Sequence, residues 1–217
     1  MTNQELFSYV DRTLLKPEAT PEQIAVLCAE AAEHGTASVC VNGSYVPLAK
    51  KLLGGKAKVC AVIGFPLGAM STAAKAFEAA EAVRDGADEI DMVIHIGQLK
   101  AGNTDYVLED IKAVKAAIGD HVLKVIIETC LLTEEEKITM CRIVTESGAE
   151  YIKTSTGFST GGATFDDVRL FAEHVGEGVK IKAAGGIRSR EDMEQFLQLG
   201  ASRLGTSSAV KILCGKN

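Results

Sequence analysis

The sequence lacks a basic excess. Its formal net charge is -6 over 217 residues, so it has no polybasic footprint for nucleic acid or for an anionic membrane surface. It lacks any apolar run near the roughly 18 residues that a membrane span needs. Its first residues, MTNQELFSYVDRTLLKP, lack the charged-then-apolar pattern of a secretory signal. None of its six cysteines (Cys28, Cys40, Cys60, Cys130, Cys141 and Cys214) belongs to a C-x-x-C pair. Reduced thiols and a cytoplasmic location are therefore expected. His34, His95, His121 and His174 are scattered, with no H-x-H or H-E-x-x-H cluster, so no protein-built metal site is expected. No low-complexity or Pro/Ser-rich linker interrupts the chain, and its length suits one domain over residues 1–217.

What the chain does have is one unit, repeated. Thr20-Pro21 opens a helix with Thr as N-cap, Pro at the first helical position and Gln23 completing a capping box. Thr133 with Glu136, and Ser189 with Asp192, open two more. Further helices are expected near 72–85, 104–118 and 166–175. Strand-like runs follow helix-ending glycines: HGTASVCV, DGADEIDMV, SGAEYIKTS and LGASRLGTS. GGKAKVCAVIG, IGDHVLKVIIE, SYVDRTLL and GVKIKAAGG bring the candidate strands to eight. Strand–helix alternation implies a parallel sheet, and eight units without a linker predict a closed (β/α)8 barrel of the TIM type, class α/β.

Five residues beyond each helix-ending glycine stand Cys40, Asp91, Lys124, Lys153 and Gly205, and just before them Val39, Ile90, Leu123, Ile152 and Leu204. Successive strand side chains face opposite ways. The apolar set must lie under the helices, and the other set must point into the barrel at matching heights. On the strand near 180, Ile181 is the apolar member and Lys182 points inward; on the first strand, Asp11 and Thr13 share a face. A barrel interior is normally filled by Val, Ile and Leu. Buried lysines and aspartates are costly unless paired, so they mark either a structural ion-pair network or a catalytic centre at the barrel mouth.

Lys153 sits where its strand breaks into a Thr/Ser/Gly loop, TSTGFSTGG. A neutral lysine there would attack an aldehyde or ketone to form a Schiff base, an electron sink for making or breaking an adjacent C–C bond. An ordinary lysine has a pKa of about 10.4, and lowering it by roughly three would cost the charged form about 4 kcal/mol. Burial and a second cation push that way, and Lys182 is the expected second cation. Asp91 with Lys182 is suited to shuttle protons; Lys124 takes an electrostatic or relay role. Gly185 and Gly186 follow the seventh strand, and Gly205 to Val210 follow the eighth. In many barrels these two loops bind phosphate through backbone N–H groups. Ser207 and Ser208 would add hydroxyl donors, and residues 155–157 a third edge. Arg188 reads equally as a phosphate contact or a solvated charge.

DRTLLKP, SVCVN, VIGFPLG, EIDMVI, LKVIIETCLL, YIKTSTGF, IKAAGGIR and LGTSS run in order across nearly the whole chain. Together they resemble the deoxyribose-phosphate aldolases, class I aldolases on a TIM barrel. The resemblance implies reversible cleavage of 2-deoxy-D-ribose 5-phosphate to D-glyceraldehyde 3-phosphate and acetaldehyde, with no metal or organic cofactor. It matches Lys153 to the Schiff-base lysine, Asp91 to the proton-relay acid and Lys182 to the second lysine. Asp11, Thr13, Cys40 and Thr156 match sugar-pocket positions, with Lys124 counted beside them. Gly157, Gly185, Gly186, Ser207 and Ser208 match phosphate-loop positions. Cys40 reads nearly as well as a small buried thiol. Four residues depart from the family pattern: Arg12 for His, Gly43 for Pro, His95 for Asn, and Phe158 where some members carry a phosphate-contacting Lys. The rivals are a class I aldolase with another phosphosugar and a non-catalytic phosphosugar-binding barrel. Partners are small phosphosugars and aldehydes, not nucleic acid or membrane, and barrels of this kind often pair, so a homo-oligomer (dimer or tetramer) is expected.

Overall fold

A computed structural model of the chain describes residues 1–215; the last two residues of the C-terminal stretch KILCGKN lie outside them. The elements run α1 (Asn3–Phe7), β1 (Val10–Leu14), α2 (Pro21–His34), β2 (Ser38–Asn42), α3 (Val46–Leu53), β3 (Lys58–Ile63), α4 (Thr72–Arg84), β4 (Glu89–Val93), α5 (Ile96–Lys100), α6 (Thr104–Ile118), β5 (Val122–Ile126), α7 (Glu134–Ser147), β6 (Tyr151–Lys153), α8 (Phe165–His174), β7 (Lys180–Ala184), α9 (Arg190–Gln198), β8 (Ala201–Thr206) and α10 (Ala209–Cys214). All eight strands are parallel, pair in chain order, and close where β8 meets β1. This is the expected (β/α)8 barrel. No helix among the described residues is long and apolar enough to cross a membrane.

The three capping boxes form as expected at Thr20/Gln23, Thr133/Glu136 and Ser189/Asp192. Gly35 and Gly148 are left-handed C-caps; Gly86 and Gly200 instead stand one residue beyond caps at Asp85 and Leu199. Val39, Ile90, Leu123, Ile152 and Leu204 all lie in the apolar layer between strands and helices. Burying such side chains contributes roughly 1.5–3 kcal/mol each, so the barrel's outer shell carries stability that its charged interior does not.

The heights expected for the inward residues need correction. Asp91 does pair with Lys124, but Cys40 pairs with Cys60 and Lys153 with Ile126. Strands of a closed barrel tilt and stagger, so register partners climb around it instead of lying in one plane. Long lysine side chains then span the difference.

The loop after β3 is held from two sides. Gly68, at φ +67, lies against the end of β4, where an added Cβ would come 1.9 Å from the Ile94 carbonyl oxygen. Beside it a buried ion pair joins α4 to α6: Lys75 Nζ lies 2.6 Å from Asp110 Oδ2, and the Thr72 hydroxyl donates to Asp110 Oδ1 at 2.8 Å. Removing one partner of a buried pair strands the other charge and typically costs about 3–5 kcal/mol, whereas replacing both by apolar groups is often near neutral. Asp110→Ala is therefore expected to lower the urea-unfolding free energy by about that amount, and Lys75→Met/Asp110→Leu to recover most of it. A single mutant of wild-type stability would refute the clamp.

Candidate active site

Four cations converge inside the barrel. Lys124 reaches in from β5, Lys153 from the last residue of β6, Lys182 from β7 and Arg203 from β8. Three carboxylates receive them: Asp11 on β1, and Glu89 and Asp91 on β4. Asp91 is the hub. Its Oδ2 accepts from both Lys153 and Lys182 at 2.7 Å, and its Oδ1 accepts from Lys124 at 2.8 Å and from the Cys60 thiol at 3.0 Å. Below it, Lys124 also meets Glu89 at 2.6 Å and Lys182 meets Asp11 at 2.5 Å. Arg203 bridges Asp11 Oδ1 (2.7 Å) and Glu89 Oε2 (2.9 Å), and Ser38 donates to Asp11 Oδ1 at 2.7 Å.

These contacts fix protonation. Burial pushes Asp91 upward, but attraction to Lys124, Lys153 and Lys182 outweighs it and holds the carboxyl well below the ordinary carboxylate range. Asp11 is held low in the same way by Lys182, Lys124 and Arg203 against its own burial. Burial works against the charge on Lys182, yet Asp11 and Asp91 raise it above an ordinary lysine. Lys124 is likewise raised against burial, by Asp91 first among its partners. Burial and the Cys40 thiol push Cys60 well up, so it stays a thiol.

Above this cluster opens a cavity of about 470 Å³ at the C-terminal mouth. Lys153 is the one member of the cluster that lines it. Of the expected residues, Thr13, Thr156, Gly157, Gly185, Gly186, Ser207 and Ser208 line it as well. Asp91 and Lys182 lie directly beneath, each touching Lys153 or its carboxylate partner. Asp11, Cys40 and Lys124 differ from the expectation of pocket-lining residues, because all three are fully buried below the floor. Leu15, which lines the cavity, packs with Cys40, Cys60 and Val62. Cys40, Cys60 and Asp91 bring ligand-type atoms within 4.8 Å of one another, but three lysine ammoniums already crowd Asp91, an environment that repels a cation.

Several residues of the site lie outside the sequence-based expectation. Glu89 and Arg203 stand two residues before Asp91 and Gly205, on the same inward face, so counting three beyond Gly86 and Gly200 finds them. Lys16 and Ile187 line the cavity too, and so does Arg188, which the sequence left between a phosphate contact and a solvated charge. The departures have local accounts. Arg12 faces outward, pairing with Glu30 at 2.7 Å and donating to the Ser207 carbonyl, which leaves Asp11 undisturbed. His95 caps α5 through Nδ1, accepting from Gln98 N–H at 3.3 Å as an Asn side chain would. Gly43 is free of left-handed φ and has open space where a Cβ would stand. Phe158 forms an apolar wall of the cavity, its ring edge-on to Phe65 at 5.2 Å.

Comparison with known proteins places this geometry. The sequence model of the DeoC/LacD family aldolases matches residues 6–217. A deoxyribose-phosphate aldolase of Clostridioides difficile (strain 630) is 56% identical over 97% of this chain and 96% of its own length. Among solved structures, the aldolase QR15 superposes with a TM-score of 0.94 at 41% identity, covering 97% of this chain and 95% of that one. The tetrameric deoxyribose phosphate aldolase of Aeropyrum pernix superposes with a TM-score of 0.88 at 33% identity, covering 99% and 92%.

The cluster makes stability depend on pH at both ends of the scale. Depressed carboxylates contribute stability above about pH 4 that is lost as pH falls toward their folded values. Raised lysines contribute below about pH 10.4 and lose it as pH climbs. Unfolding free energy is expected to be flat between about pH 5 and 8, to fall above it as the raised buried thiols and then the lysines lose their advantage, and to fall below it as the carboxylates protonate. Asp91→Asn should lower the plateau by about 3–5 kcal/mol and make the acid limb shallower. An unchanged acid limb in the variant would refute the assignment.

Proposed function

The chain belongs to the DeoC/LacD aldolase family, and from that membership we propose a class I aldolase that reversibly cleaves 2-deoxy-D-ribose 5-phosphate to D-glyceraldehyde 3-phosphate and acetaldehyde. The observation that carries the reading is the position of Lys153: it alone joins the buried charge cluster to the mouth cavity. Four cations there face three carboxylates. Of these, Lys153 is the member placed to meet a carbonyl.

In this reading Lys153 Nζ attacks C1 of the open-chain sugar and expels water to form an iminium. The C3 hydroxyl then gives up its proton, the C2–C3 bond breaks, and its electron pair flows into the iminium to give an enamine. Glyceraldehyde 3-phosphate leaves. The enamine takes a proton at C2, and water releases acetaldehyde and the free lysine. Lys182, held charged, supplies the acid; Asp91, held as carboxylate between the two amines, passes the proton. The backbone N–H groups of the loops after β7 and β8, with Ser207 and Ser208, face the sugar phosphate, and Arg188 and Lys16 add positive charge at the rim. The cycle requires neither metal nor organic cofactor. A non-catalytic binding barrel would have no use for Lys153, Lys182 and Asp91 wired together beneath its ligand. We further place the protein in the cytoplasm, in deoxyribose phosphate breakdown, as a homo-oligomer; the exposed Leu67 and Phe77 are surface that assembly would cover.

Borohydride reduction in the presence of deoxyribose 5-phosphate or acetaldehyde is expected to add mass on the peptide carrying Lys153, and dihydroxyacetone phosphate to add none. Lys153→Leu should abolish both labelling and turnover with the fold intact. Asp91→Asn should lower kcat by about 10²–10⁴. Cleavage that proceeds with an unlabelled Lys153 would sink the mechanism.

A further inference from the structure

We infer that Glu128, a residue outside the reacting cluster, is a positioning residue that sets the wall between Lys153 and the phosphate end of the cavity. This inference rests on the aldolase reading for its kinetic consequence, though not for its geometry. Glu128 follows β5 and is the one non-glycine residue among those described with positive φ (56°). Such a conformation is adopted at a cost and points to a constraint at that position. Its side chain is 2% exposed. Among the described residues no lysine or arginine bridges its carboxylate; it is satisfied instead by a single residue of the loop after β6. Oε1 accepts from the Thr156 N–H at 3.2 Å, and Oε2 accepts from the Thr156 hydroxyl. That hydroxyl oxygen in turn accepts the Phe158 N–H at 3.0 Å.

The strand ends bind the same two segments on either side. Ile127 N–H donates to the Lys153 carbonyl at 3.1 Å, and Thr129 N–H donates to the Thr154 carbonyl at 3.0 Å. Glu128 is thus the side-chain link of a three-point attachment that begins at the nucleophile's own carbonyl and ends at Phe158. Thr156, Gly157 and Phe158 all line the cavity. Gly157 also backs onto the phosphate loop: a Cβ built on Gly185 would lie 3.5 Å from the Gly157 Cα. Holding Thr156 therefore holds the seam where the sugar end and the phosphate end of the substrate meet. A buried carboxylate accepting two hydrogen bonds suits this task, because it fixes the hydroxyl as a donor and leaves its lone pairs to Phe158 N–H. An amide in its place cannot do the same. With its one oxygen on the Thr156 N–H it leaves the hydroxyl proton without that acceptor, and flipped it sets its NH2 against the Thr156 N–H, so one of the two bonds that hold Thr156 is lost.

Glu128→Gln is the sharpest test, since it preserves size and backbone. Two readouts are taken on the full-length protein. In amide hydrogen exchange, Thr156 and Phe158 are expected to exchange roughly tenfold faster or more than in the wild type, with the remaining barrel amides unchanged. In kinetics, KM for deoxyribose 5-phosphate should rise roughly tenfold or more, while borohydride trapping of the acetaldehyde imine keeps its wild-type rate. Thr156→Val should reproduce the KM effect, and the double variant should be no worse than the poorer single, since both break one connection. Wild-type exchange at Thr156 and Phe158 in Glu128→Gln would overturn the inference, as would additive losses in the double variant or equal losses of imine trapping and cleavage. Should the wild-type protein form no imine with acetaldehyde, the aldolase reading fails on its own, and the exchange measurement still decides the role of Glu128.

Discussion

One carboxylate organises this barrel. Asp91 takes hydrogen bonds from three lysines and a thiol, so a change in any one of them is felt by the others. Burying a lone ammonium or carboxylate is expensive enough that the group normally changes protonation state instead. Here each charge is tolerated only because its neighbours are charged too. Asp91 stays ionised because three ammoniums face it; Lys182 stays ionised because Asp11 and Asp91 face it; Asp11 is completed by Arg203 and Ser38. The arrangement resembles a small ionic lattice with one open face, and Lys153 stands on that face.

Such an interior weakens what a barrel normally uses to hold itself together. A TIM core is usually packed with branched aliphatic side chains; this one gives most of its middle to salt bridges, whose net contribution takes either sign once desolvation is counted. The compensation lies outside the sheet. The outward residues of the strands are mostly apolar and sealed under helices, with Arg12 on β1 an exception paired to Glu30, and those helices begin with satisfied caps at Thr20, Thr133 and Ser189. Stability and chemistry are thus divided between the two faces of the same strands, and a one-residue shift of register would exchange them. The division explains why Lys–Asp pairs could accumulate inside without the fold giving way.

That same alternation decides how much of the molecule is legible in its sequence. All eight strands, the three capping boxes and the inward parity of Asp91, Lys124, Lys153 and Lys182 follow from local chemistry and a period of two, which short stretches of chain contain. Depth does not. Strand tilt and stagger are properties of the closed barrel, so the residue pattern sets Lys153 level with Lys124 although their strands are offset, and it gives no sign that Asp11, Cys40 and Lys124, counted with the sugar pocket on the family resemblance, are fully buried and outside the cavity lining. Glu89 and Arg203 escape a count that takes one inward position per strand, because each lies one inward step deeper. Glu128 is hidden for a different reason: its role arises from a left-handed turn and a partner 28 residues away, and neither leaves a periodic trace.

The cavity's polarity follows from the same geometry and bears on how a phosphosugar would lie in it. Lys153 is the sole cluster cation that lines it, and the glycine and serine loops line it as well, with Arg188 and Lys16. A dianion placed near Lys153 would meet Asp91 behind it, already surrounded but still carrying its own charge; placed at the loops, it meets only donors and cations. Under the proposed function, the phosphate is expected at these loops and the reacting carbon beside Lys153. Phe158 sharpens this. An aromatic edge against Phe65 offers a phosphate no charge at this wall, which leaves an anion to the loop donors with Arg188 and Lys16.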